Sequence, residues 1–346
     1  MASKILSLEI AEQPQVIQEL LEAEKERVFQ IARDLHGKFK YVLIAARGSS
    51  DNAARYAQYL FGARNRLQVA LATPSLFSIY SQPPDLSDAL VIGISQSGQS
   101  PDIVSVLNEG HRQGRPTLAI TNDVQSPLAQ AAQHVIPLHA GHERAIAATK
   151  TYTTSLAALA LLSCGLQDNR AGLQELERVP EFIQAALPDL RLSMTRVERY
   201  RYMEHCVVIG RGYNYCTAFE VALKVKELNR LVAEPYSSAD FRHGPIALVY
   251  RGFPVILLAA QGAILDDLLD LIDQLNRLAA ELLTISDDAR VLEQAHLPMP
   301  IPAGLPEWLG PLVMVIPGQL FSMHLAEARG LNPDQPEGLT KVTETL

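Results

Sequence analysis

Short runs of consecutive apolar residues alternate along this chain with longer stretches of helical periodicity. Residues 41–45 (YVLIA), 67–72, 89–94 (ALVIGI), 117–121 (TLAIT) and 134–138 have the length and content of buried strands. Between and after them, 51–60, 101–113 and about 147–162 carry helical patterns, and 7–35 reads as a long, charged amphipathic helix. Strands that do not alternate polar and apolar residues are covered on both faces, and strands separated by helices form βαβ units. The pattern therefore predicts an α/β protein with a mainly parallel sheet and helices on both sides.

The same pattern occurs twice. VLIAARGSSDNAARYAQYL at 42–60 is similar to VVIGRGYNYCTAFEVALKV at 207–225, aligning Arg47-Gly48 with Arg211-Gly212. ALVIGISQSGQSPDIVSVL at 89–107 aligns with FPVILLAAQGAILDDLLDL at 253–271, and TLAITND at 117–123 with LLTISDD at 282–288. Three strand–turn units in one register point to a tandem duplication. The predicted organisation is a helical extension (1–36), two α/β domains (37–185 and 186–330) and a tail (331–346), with the boundary in the proline-punctuated stretch near Pro180 and Pro188.

Composition narrows the partners. A formal charge of −8, from 38 acids and 30 bases without long runs, argues against nucleic acid. Cys164, Cys206 and Cys216 form no C-x-x-C pair and read as reduced thiols. The N-terminus lacks the apolar core of a signal peptide, and charges, prolines or glycines interrupt every long apolar stretch, so no membrane span and a cytoplasmic location are expected. The histidines show no H-E-x-x-H, and pairs such as His139 and His142 lack a carboxylate set, so no metal is expected.

The first copy carries Ser95-Gln96-Ser97-Gly98-Gln99-Ser100 between a strand and a helix opening at Pro101. Such a junction aims backbone N–H groups and the helix's positive end at one point, and Gly98 lets the backbone approach an anion. Ser49 and Ser50, after the neighbouring strand, can reach the same point. By residues alone the run fits either a phosphate loop or a soluble turn with an N-cap. It is neither a Walker loop nor a dinucleotide fingerprint. In the second copy Ala259, Gln261 and Ile264 replace the three serines while Gly262 is kept.

ARGSS at 46–50, ISQSGQSPD at 94–102, AATKTYTTS at 147–155, AFEVALKVKELNRLVAEPYSSADFRHGPIALV at 218–249 and the tail NPDQPEGLTKVTETL together give a resemblance to the double sugar isomerase (SIS) family, especially the isomerase half of glucosamine-fructose-6-phosphate aminotransferase. The resemblance implies two flavodoxin-like SIS domains and a homodimer with a shared active site. It also implies a sugar phosphate held by Ser49, Ser50, Ser95, Gln96, Ser97 and Ser100. Spacing alone reads Glu220 and Lys224 as an exposed i,i+4 ion pair, His243 as a loop residue beside Gly244-Pro245, and Lys341 as a solvated tail lysine. The resemblance assigns more: Glu227 moves a proton between C1 and C2 of the open-chain sugar, Lys224 positions it, His243 opens the ring, and Lys341 forms a Schiff base. No cofactor is called for, since the imine or enediol is its own electron sink.

Two departures stand out. Arg47-Gly48-Ser49-Ser50 stands where the family has Cys-Gly-Thr-Ser, and Ala148 replaces a serine common before the Thr-Lys pair. A further expected departure is that no glutaminase domain with a terminal cysteine precedes the first α/β unit. The expected reaction is thus deamination of glucosamine 6-phosphate to fructose 6-phosphate. A fructosamine-6-phosphate deglycase and a non-catalytic sugar-phosphate sensor are the alternatives.

Overall fold

The computed structural model describes residues 4–341, which fall into two compact units. One holds 15–143, 148–177 and 340–341; the other holds 4–14, 144–147 and 178–339.

The first unit is built on five parallel strands: β1 (Tyr41–Ala45), β2 (Gln68–Leu71), β3 (Ala89–Ile94), β4 (Thr117–Thr121) and β5 (His134–Pro137), in the order β2-β1-β3-β4-β5. Every residue of β3 and β4 is buried, which is why both read as unbroken apolar runs. Edge strand β2 alternates exposed and half-buried positions instead. Leu43, Val91 and Ala119 from the sheet pack against Ile103, Val106 and Leu107 of the helix Pro101–Arg112. The helix Lys150–Leu166 is buried along nearly its whole length although it carries three threonines and a serine in its first two turns. Thr153, Thr154 and Ser155 satisfy their hydroxyls by donating back to backbone carbonyls one turn earlier.

The second unit repeats the plan with β6 (His205–Gly210), β7 (Val232–Ser237), β8 (Pro254–Ala259), β9 (Glu281–Ser286) and β10 (Leu297–Pro300), ordered β10-β9-β8-β6-β7. Read from β7, this is the first sheet's order, so the sequence repeat is a repeat of topology. Its core joins Val207, Ile209, Val255 and Leu257 to Leu268, Leu271 and Ile272 of the helix Leu265–Arg277.

The helix Gly310–Ala328 runs straight through Pro317. With the preceding turn, the segment Glu307–Ala328 is long and apolar enough to cross a membrane, but 89% of its most apolar window is buried inside the protein, as in a core helix. Residues 4–14 belong to the same unit and open the helix Ile5–Leu35. The Asp334 carboxylate accepts from the backbone N–H groups of Lys4, Ile5 and Leu6, the last at 2.8 Å, and so caps that helix from the far end of the chain.

Gly318 marks where the helix Gly310–Ala328 meets the helix Tyr215–Asn229, since a Cβ there would overlap the methyls of Val221. Gly318→Ala should therefore lower stability in urea by about 1–3 kcal/mol, and adding Val221→Ala should restore part of the loss. A single variant with the wild-type midpoint would show that the helices have room to part.

Candidate functional site

In the first sheet the chain leaves β1 toward β2 on one side and returns to β3 on the other. The carboxyl ends of β1 and β3 are thus neighbours from which the connections diverge, the topological position at which open α/β sheets bind ligands. Arg47-Gly48-Ser49-Ser50 follows β1, and Ser95–Ser100 follows β3, so these two loops are brought together by the topology. Ser49 begins the helix Ser49–Asn65, and Ser100 is the N-cap of Pro101–Arg112 with its side chain making no capping hydrogen bond. Two helices thus begin at this switch point.

The serine loop is held from beneath. Ser95 Oγ accepts from the Gly98 N–H at 3.1 Å, and Ser97 Oγ from the Gln99 N–H at 3.3 Å, which leaves each hydroxyl its own proton to donate. The Gln96 carbonyl accepts from the Asn122 N–H, and the Gly98 carbonyl from the Leu128 N–H. Gly98 has φ +62°, and a Cβ there would overlap Ser126, so the turn demands glycine twice over.

Arg47, the departure from the family motif, is pinned. Its Nε and Nη2 lie 2.9 and 2.8 Å from Oδ2 of Asp102, a carboxylate with no solvent exposure in the first turn of Pro101–Arg112. The guanidinium is half exposed, so one side neutralises a buried acid and the other faces water beside the loop. Sequence reading singled out Arg47 but not Asp102. The corresponding Arg211 pairs at 2.8 Å with Asp267, which also holds Arg242 at 2.9 Å. Both sheets thus carry an Arg–Asp bridge across the switch point.

Lys341 lies in the first unit and donates at 2.7 Å to Oε2 of Glu143, a buried carboxylate that sequence reading passed over. Glu143 also accepts from the N–H groups of Thr149 and Thr151 and from the Thr151 hydroxyl, at the N-terminus of Lys150–Leu166. Burial pushes its carboxyl up, but the Lys341 ammonium and these hydrogen bonds outweigh that and hold it below its ordinary value of 4.5. The tail lysine is therefore gripped by a carboxylate and a quarter exposed, so it is not the freely solvated tail lysine that spacing alone suggested. To act as a nucleophile it must give up a proton, and Glu143 is the base in contact with it. The available signal was the acid in His142-Glu143-Arg144, six residues before Thr149.

In the second unit Glu220, Lys224 and Glu227 share one face of the helix Tyr215–Asn229, which starts just beyond β6. Glu220 and Lys224 are buried, so the exposed surface pair suggested by spacing is not what forms. Lys224 Nζ lies 3.3 Å from Glu220 Oε1 and 2.6 Å from Glu227 Oε2, the latter a close ion pair outside hydrogen-bond angles. Burying this lysine is tolerable because it has two carboxylates. Glu227 is 23% exposed and lines a cavity of about 290 Å³ with Arg230, Leu331, Asn332 and Glu337. Arg230 and Glu337 form an ion pair at its rim. His243 stands apart: it is exposed at the C-cap of Ser238–Arg242, with its N–H donating to the Asp240 carbonyl. His139 pairs with Glu24 at 2.8 Å, and among the described residues no three His, Cys, Asp or Glu side chains are grouped to hold a metal.

The SIS domain model matches this chain twice, over residues 38–163 and 201–328, one match on each sheet. An isomerizing glutamine–fructose-6-phosphate aminotransferase from Thermococcus kodakarensis is 32% identical over 344 residues. That alignment covers 96% of this chain but 56% of the relative, so the chain spans little more than half the length of the curated proteins it matches. A solved structure from Silicibacter pomeroyi, provisionally assigned as a phosphosugar isomerase, superposes with a TM-score of 0.85 at 33% identity, covering 95% of this chain and 99% of that one. The C-terminal domain of glucosamine-fructose-6-phosphate aminotransferase from Francisella tularensis superposes with a TM-score of 0.84 at 28% identity, covering 96% and 98%.

Glu143→Gln removes a charge whose folded pKa is depressed, so its contribution is complete above the unfolded value of 4.5 and fades as pH falls through the folded one. The variant should be less stable by about 1–3 kcal/mol at pH 7, with the gap narrowing below pH ~4. Urea titrations at both pH values check this, and a gap that widens in acid would contradict the assignment.

Proposed function

This chain belongs to the SIS domain family, and we propose that it is an isomerase and deaminase of amino-sugar phosphates. In this reading it converts glucosamine 6-phosphate and water to fructose 6-phosphate and ammonia. The observation that carries it is Glu227, a carboxylate ion-paired to a buried lysine and open to a cavity of sugar-sized volume.

His243 moves the ring proton that opens the pyranose, imidazole being able to give and take protons near neutrality. Glu227 then takes the proton from C2 of the open-chain amino aldose, and the electron pair forms the C1–C2 enolamine. Returning that proton to C1 gives the 2-imine. Water adds at C2, the C–N bond breaks, and ammonia leaves with the proton it needs. Lys224, fixed between Glu220 and Glu227, keeps Glu227 oriented and offers positive charge where the enolate oxygen develops. In this reading Ser49, Ser50 and the loop Ser95–Ser100 hold the phosphate, with Ser95 and Ser97 Oγ oriented by the Gly98 and Gln99 N–H groups and left their own protons to donate. The relatives' names support the sugar skeleton, since they act on fructose 6-phosphate or are named for glucosamine. A homodimer with a shared active site belongs to this reading, with exposed His243 serving its own or the neighbouring copy.

Ammonia release from glucosamine 6-phosphate should fall by about 10²–10⁴ in Glu227→Gln while the protein stays folded. Equal rates would remove Glu227 from its role. Fructoselysine 6-phosphate is assayed in parallel: turnover of that substrate alone would make the chain a deglycase, and binding of either sugar without turnover would make it a sensor.

A further inference from the structure

The second sheet has its own switch point, between β6 and β8, and the residues there have no part in the reaction above. The loop after β8 is the counterpart of the serine loop. It keeps Gly262 and leads into a thirteen-residue helix, Leu265–Arg277, but has lost the hydroxyls. In the structure a carboxylate occupies it. Glu307 Oε2 accepts from the Ala263 N–H at 3.1 Å. Gly262 has φ +149°, and a Cβ on it would overlap the Glu307 carboxylate. Gly212, in the loop after β6, is on the other side, its Cβ position 4.0 Å from Glu307 Oε1. One carboxylate therefore fills the space a Cβ on Gly262 would need, at the second sheet's counterpart of the serine-loop position, and reaches the turn glycine of the loop after β6, whose Cβ position also has the Ile264 methyls at 3.7 and 3.8 Å.

We propose that the second half retains a working oxyanion cradle and that Glu307 is its built-in ligand, so that the chain takes one phosphate per copy although it holds two cradles. The chemistry is consistent with the residue changes. A phosphate dianion presents three terminal oxygens and calls for many donors, whereas a carboxylate presents two and carries one charge. Exchanging Ser95, Ser97 and Ser100 for Ala259, Gln261 and Ile264 removes hydroxyl donors that a carboxylate does not need, while the glycine that it does need remains. Tethering also favours the internal group: Glu307 is held at the loop by its own backbone at a high effective concentration, and a free anion has to displace it.

Equilibrium dialysis with radiolabelled inorganic phosphate counts the equivalents bound by wild type and by Glu307→Ala. The variant should bind one equivalent more than wild type. The wild-type count reports on the serine loop and hence on the phosphate site of the proposed function; the difference between the chains reports on the Glu307 cradle alone. Equal counts in folded protein overturn the proposal.

Glu307→Asp, a carboxylate one methylene too short, covers the case in which the alanine variant fails to fold. Changing sodium chloride for phosphate at equal ionic strength should raise its melting temperature by more than it raises that of wild type. A merely structural Glu307 would lower the melting temperature of the aspartate variant by the same amount in both salts, and that result also overturns the proposal.

Discussion

A parallel strand that runs through a glycine turn into a helix ends with backbone N–H groups and the positive pole of the helix dipole directed at one spot. That spot has to be served by water, a ligand or an acidic side chain. Much of the chemistry of this chain follows from meeting that requirement twice. In the first sheet the loop is stiffened by Gly98 against Ser126, and its Gly98 and Gln99 N–H groups donate to the Ser95 and Ser97 hydroxyls. In the second sheet the chain brings its own Glu307. Asp334 at the head of Ile5–Leu35 and Glu143 at the head of Lys150–Leu166 answer the same demand at two other helix ends.

Buried charge is the second theme, and it comes in compensated sets. Lys224 lies between two carboxylates, Glu143 meets Lys341, and Arg47 and Arg211 each neutralise an aspartate across a switch point. Such pairs add little net stability compared with well-packed apolar side chains, yet removing one member leaves a charge stranded. Their value lies in orientation. A carboxylate or lysine so held cannot wander, which is what a group transferring protons at fixed atoms requires.

The architecture was largely legible in the sequence, because strands buried on both faces leave unbroken apolar runs such as those at 89–94 and 117–121. The duplication was legible through Arg-Gly pairs and glycines in register. The helix Gly310–Ala328 was not: Pro317 and Gly318 look like breaks, but a proline is tolerated where neighbouring helices pack around it, and the glycine serves close approach to Val221. For the site, sequence found the serine loop and the Glu220–Lys224–Glu227 face but misjudged the burial of that face, since i,i+4 spacing is the same on wet and dry helices. Asp102 and Glu307 escaped notice because each acts on a residue distant in sequence and no local motif marks such an acid, while Glu143 left only the faint signal of an acid six residues before Thr149.

The central claim is that the first cradle is open to phosphate and the second is closed by the chain itself. Amide resonances followed by ¹⁵N–¹H NMR during a titration with fructose 6-phosphate test it most directly. Saturable shifts at Gly98, Gln99 and Ser100, with Gly262 and Ala263 unmoved, are the predicted result. Unmoved amides across 95–100, or equal shifts in both loops, would contradict it.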